Sequence, residues 1–121
     1  MPFSYDTSEL DKMLANRSAQ NEIERQQLLE NVLLWLDQYG PRHGIQSAYI
    51  FGSLVQPGRF HQNSDIDIAV EHVNAEDFFS VISLISEAMG RDVDVIELSK
   101  CPFENRIRKA GIQWIATNSS S

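Results

Sequence analysis

The chain of 121 residues predicts an α/β (α+β) fold, a small mixed β-sheet with helices packed on it. Three observations carry that expectation. Apolar residues recur at helical spacing over 22–39 and 75–89. Short apolar or alternating segments lie at 46–51, 65–71 and 92–97. These segments follow one another as helix, strand, loop, strand, helix, strand, helix, with neither an internal repeat nor a linker.

Taken in order, residues 1–20 are polar and mixed. They read as an N-terminal arm or a short helix in which Leu10, Met13 and Leu14 share a face. Asn21, with Glu24 three positions on, resembles a capping box and opens a helix over 22–39. Ile23, Leu29, Val32, Leu33 and Leu36 form its stripe, and Leu28, Trp35 and Tyr39 widen it. Gly40-Pro41 stops it. So wide a stripe implies burial against a sheet and leaves room for self-association or a partner subunit. Residues 46–51 read as a strand. Over 65–71, Ile66, Ile68 and Val70 alternate with Asp65, Asp67, Ala69 and Glu71, the period of a strand with one face in the core. Asn74 caps a helix with Phe78, Val81, Ile82, Ile85 and Met89 on one face. Asp92 to Glu97 form a third strand. Pro102 opens a short helix ending before Gly111, and Ile112, Trp114 and Ile115 return to the core. The expected domain spans 21–116, with a flexible tail at 117–121.

The length suits one domain with one core. No apolar run approaches the ~18 residues of a membrane span, and no secretory signal is expected. One cysteine, Cys101, allows neither an internal disulfide nor a cysteine zinc site. A cytoplasmic protein is the simplest reading. The formal net charge of −7 disfavours direct nucleic-acid binding, which needs clustered Lys and Arg. It still permits a nucleotide, if metal ions neutralise both sides, or a basic protein partner.

The chemistry concentrates in Gly52-Ser53, a Gly/Pro loop, and Asp65-Ile66-Asp67. Residues i and i+2 of a strand project to one face, roughly 6.6 Å apart. Asp65 and Asp67 therefore stand together, and a divalent cation would relieve their repulsion. Hard carboxylate oxygens suit Mg²⁺, which completes its shell with phosphate and water. Asp94, between Val93 and Val95, adds a third carboxylate if its strand adjoins; Asp92 is its rival on the same face. Three carboxylates can hold two metal ions for in-line displacement at phosphorus. Gly52 lets backbone approach a phosphate, and Ser53 offers a hydroxyl and an N–H. Ser64 satisfies backbone groups before the strand. Arg59, in the loop, is a natural triphosphate contact, as is Arg106 in the last helix; Arg108 and Lys109 read rather as a solvated basic face. His43, His61 and His72 lack metal-ligand spacing, and only His61 lies near enough in sequence to meet a phosphate. Trp35 and Trp114 read as core.

Gly52-Ser53, Asp65-Ile66-Asp67 and Asp94 within Val-Asp-Val resemble the minimal nucleotidyltransferases (MNT) of the DNA polymerase β-like superfamily, over about residues 46–115. In size the chain is similar to the stand-alone MNT-domain antitoxins, partners of HEPN-domain ribonuclease toxins. The resemblance implies the nucleotidyltransferase fold and a Mg²⁺-dependent enzyme, with two ions and ATP as substrate. It implies transfer of AMP to a hydroxyl, a tyrosine of a HEPN-type toxin. Gly52 and Ser53, with Ser64 and Arg59 beside them, would then bind the nucleotide. Asp65, Asp67 and Asp94 would bind metal, and Asp94 would help deprotonate the acceptor. The chain departs from the family in its spacer: positions 54–64 are eleven residues, usually one fewer. The extra residue is expected at Gln56-Pro57, where a loop tolerates insertion. There is no room for the second domain with which larger relatives hold their acceptors. Two rival readings stand beside this one: an inactive MNT-fold module that neutralises a toxin by stoichiometric contact, and a small-molecule nucleotidyltransferase.

Overall fold

Periodic segments become seven main elements in the computed structural model, which describes residues 7–117. These are α1 (Ser8–Tyr39), β1 (Ser47–Phe51), β2 (Ile66–Glu71), α2 (Phe78–Met89), β3 (Val93–Glu97), α3 (Glu104–Ala110) and β4 (Ile112–Ile115). Residues 1–6 of the expected arm and Asn118–Ser121 of the expected tail lie outside the described residues.

The sheet is mixed, in the order β3-β2-β1-β4. β1 runs antiparallel to both β2 and β4, while β2 and β3 are parallel. The parallel pair needs a crossover, and α2 supplies it. One sheet face carries Ala48, Ile50, Ile66, Ile68, Val93, Val95 and Trp114, and packs with Val32 and Leu36 of α1 and Val81 and Ile85 of α2. On the other face a smaller cluster joins Tyr49 and Ala69 to Leu98 and to Ile107 of α3. This second face is covered only in part, and Asp67 and Asp94 belong to it by strand alternation.

Several expectations are corrected. There is one helix from Ser8 to Tyr39, so Asn21 lies inside it and caps nothing. Its first three and a half turns or so, Leu10, Met13 and Leu14 included, are exposed. Ile23 is 56% exposed rather than buried. At 100° per residue it sits about 120° from Leu29, off the stripe. Asn74 makes no side-chain cap; its amide bonds the Asp77 carboxylate, and a short 3-10 turn, Ala75–Asp77, precedes α2. Ile112–Ile115 is a fourth strand, and its alternation turns Trp114 inward and leaves Ile115 60% exposed.

Trp114 ties this edge strand to α1. Its indole N–H donates to Asp37 Oδ1 at 2.8 Å while the ring is buried in the core. Trp114→Phe is expected to cost about 1 kcal/mol for the lost hydrogen bond, and Trp114→Ala about 3–5 kcal/mol. Urea denaturation would show both, with the two values well separated.

Candidate active site

The site is built where β1 ends beside the start of β2. Strand register places Asp67 opposite Asp94 on the parallel neighbour and opposite Phe51, the last residue of β1, on the antiparallel one. Of the two rivals, Asp92 lies just before β3, and the residue aligned with Asp67 is Asp94. Asp65 lies two residues upstream on the side Asp67 faces. The cluster has an electrostatic signature. Asp67 is held above its usual carboxylate range, first by burial and then by the charges of Asp94 and Asp65.

Gly52 follows Phe51 with φ of 78°, in the left-handed region that favours glycine. A Cβ there would collide with a carboxylate oxygen of Asp67. The turn and the carboxylate are thus in contact, and only glycine permits it. Gly52–Val55 forms a 3-10 turn, anchored by fully buried Leu54. Ser53 is half-buried within it, and its carbonyl accepts the Gln56 N–H at 3.1 Å.

The structure therefore gathers Gly52, Ser53, Asp65, Asp67 and Asp94. Ser64 and Arg59 are placed differently. Ser64 is buried, and its hydroxyl accepts the His61 N–H at 3.0 Å, closing the loop before β2. Arg59 is exposed on that loop, and its N–H bonds the Gln56 carbonyl. The His61 ring accepts the Asn63 N–H at 3.3 Å. Arg108 is exposed, as a solvated basic face requires, and it also pairs with Glu71 and Glu104 and lies over the Tyr49 ring. Glu97 pairs with Lys100.

Sequence reasoning passed over Arg25. It is only 8% exposed and donates to the Leu54 carbonyl at the end of the Gly52 turn. Its signal was positional, since Arg25 falls on the same helical stripe as Leu29, Val32 and Leu36.

The donor set fits a hard divalent cation. Among the described residues no three His, Cys, Asp or Glu side chains form a ready-made cage. Mg²⁺ needs none, because it takes one or two protein carboxylates and draws other ligands from phosphate and water. An open groove of about 440 Å³ between α1 and the loop is lined by Leu14, Arg17, Asn21, Pro57, Gly58 and Phe60, and by none of the three aspartates. The carboxylates stand instead on the partly covered sheet face.

Comparison with known proteins agrees with this architecture. Residues 36–119 match the polymerase beta nucleotidyltransferase family model. That is well over half of the chain, and the protein belongs to this family of nucleotidyltransferases. A crystal structure of a toxin–antitoxin with AMP-PNP is 28% identical, with TM-score 0.56 and 73% of each chain covered. A mutant toxin–antitoxin MntA-HpeT, with two aspartates two positions apart changed to glutamate, is 26% identical at the same TM-score and coverage. A further MntA-HepT structure, 23% identical with TM-score 0.52 over 77% of this chain and 74% of that one, shares the fold. No curated protein sequence matches the chain. Among the described residues, no helix is long and apolar enough to cross a membrane.

Proposed function

We propose that this nucleotidyltransferase is a Mg²⁺-dependent antitoxin that transfers AMP from ATP to a tyrosine hydroxyl of a cognate HEPN-type toxin. One observation carries the reading: Asp67 is aligned with Asp94, flanked by Asp65, and pressed by the Gly52 turn. In the reaction, the acceptor oxygen bonds to the α-phosphorus as the α–β bridging bond breaks, and pyrophosphate leaves with that electron pair. The hydroxyl proton passes to Asp94. Gly52 and Ser53 admit the triphosphate against their backbone, and Asp65 and Asp67, with Asp94 beside them, would hold the cation. Mg²⁺ bound there would neutralise phosphate charge and make the acceptor hydroxyl more acidic. Little else is asked of the protein, because phosphoryl-type transfer depends on positioning and charge.

AMP-PNP in one similar structure supports the nucleotide. The spacing of the two altered aspartates in another is that of Asp65 and Asp67. The open placement of the carboxylates suits a macromolecular acceptor. The exposed apolar residues Leu10, Met13 and Leu14 at the start of α1 suit a protein partner.

That arm also favours a second reading, in which contact alone neutralises the toxin. A neutralisation assay with the Asp65→Asn/Asp67→Asn double variant separates the two. The proposed chemistry predicts loss of protection at equal expression. Full protection would leave contact as the mechanism.

A further inference from the structure

Between Ser53 and Asp65 the chain runs through a loop that pairs with no strand. Its two ends must nevertheless hold a phosphate-facing turn and a carboxylate in fixed relation, since small misplacements are costly to catalysis. Each end is held by an arginine from outside the site. At the start, Arg25 of α1 donates through Nη1 to the Leu54 carbonyl at 3.1 Å. Its Nε and Nη2 are fixed by the two Glu22 carboxylate oxygens, at 2.9 and 2.6 Å. At the finish, Arg91, between α2 and β3, donates through Nη1 to the Ser64 carbonyl at 2.7 Å and the His61 carbonyl at 3.3 Å. The same guanidinium lies 4.8 Å from the centre of the Phe60 ring, which is the one buried side chain of residues 56–63.

We propose that Arg25 and Arg91 are a pair of positioning residues that clamp the two ends of this loop. Arg25 sets the Gly52-Ser53 turn for the triphosphate, and Arg91 sets Asp65 for the cation. This rests on the proposed function for its ligands, but not for the clamp itself. Both arginines act on backbone carbonyls. Arg25 uses three nitrogens of its fork, so charge alone does not replace it, while Arg91 serves both its carbonyls through Nη1 and adds a planar contact with the Phe60 ring. The clamp also explains how a spacer longer than usual keeps both ends in place: slack can gather in exposed residues 56–59 without reaching Ser53 or Asp65.

The test compares Arg25→Met and Arg91→Met with Arg25→Lys and Arg91→Lys, which retain charge and one donor group. Three readouts are taken: hydrogen exchange across 54–65, Mn²⁺ affinity by electron paramagnetic resonance, and AMP-PNP affinity with Mg²⁺. Arg25→Met is expected to speed exchange near 54–57 and weaken AMP-PNP about tenfold, leaving Mn²⁺ alone within about twofold. Arg91→Met is expected to speed exchange at 60–64 and weaken Mn²⁺ about fivefold. The lysine variants should fall between these and the wild type. Exchange that rises evenly through the chain, or ligand affinities that do not divide between the arginines, would overturn the proposal. If wild-type protein bound neither Mn²⁺ nor AMP-PNP, the proposed function would fall, and local exchange would then decide the clamp by itself.

Discussion

Asp67→Asn is expected to lower nucleotidyl transfer by ~10²–10³-fold or more while stabilising the metal-free protein. The two effects share one cause. Burial first, and then the charges of Asp94 and Asp65, hold the Asp67 carboxyl above the usual range. A raised value means that the folded state binds the proton more readily than the unfolded chain. Stability of the metal-free protein therefore falls as pH rises from the ordinary carboxylate value through the raised one, and stays lower above it. Asparagine removes the charge and with it that slope. A bound cation relieves the same repulsion, so Mg²⁺ should raise Tm in the wild type at neutral pH and do so far less in Asp67→Asn. Thermal melts across pH, with and without Mg²⁺, read all of this. An asparagine variant that is less stable than wild type at pH 7 without metal would contradict the electrostatic account.

Gly52→Ala is expected to be nearly as damaging for a steric reason. The backbone there has φ of 78°, which costs a non-glycine residue about 1–2 kcal/mol. The added methyl also meets the Asp67 carboxylate. Either the turn or the carboxylate must move, and a shift of about 1 Å can cost ~10²-fold in rate. Gly58→Ala separates the two contributions. Gly58 has φ of 85°, yet nothing lies within 4 Å of a Cβ built there. It should lose comparable stability and keep its activity. Equal activity in the two variants would show that the contact with Asp67 does not matter.

The carboxylate strand was readable because its physics is local. Period-two alternation over Asp65 to Glu71 states both that a strand forms and which side Asp67 takes. The alignment of Asp94 with Asp67 was not readable in the same way, since register belongs to pairing between distant segments; Val93 and Val95 only suggested it. The helix start was misplaced at Asn21 because a good cap residue has no force where the preceding turns are already helical. β4 was missed because four residues with a single buried side chain, Trp114, carry almost no period. Arg25 was passed over because a charged residue on an apolar stripe reads as an interruption until its partner, a backbone carbonyl 29 residues away, is known. Ser64 was legible as a loop-closing residue, since a serine hydroxyl before a strand commonly bonds nearby backbone.

Intact mass spectrometry of the proposed toxin partner tests the central claim most directly. The purified chain would be incubated with Mg²⁺-ATP and the protein encoded beside it. The account predicts that the partner gains the mass of one or more AMP units, and that the Asp65→Asn/Asp67→Asn variant produces no gain. An unchanged partner mass within a stable complex would contradict it.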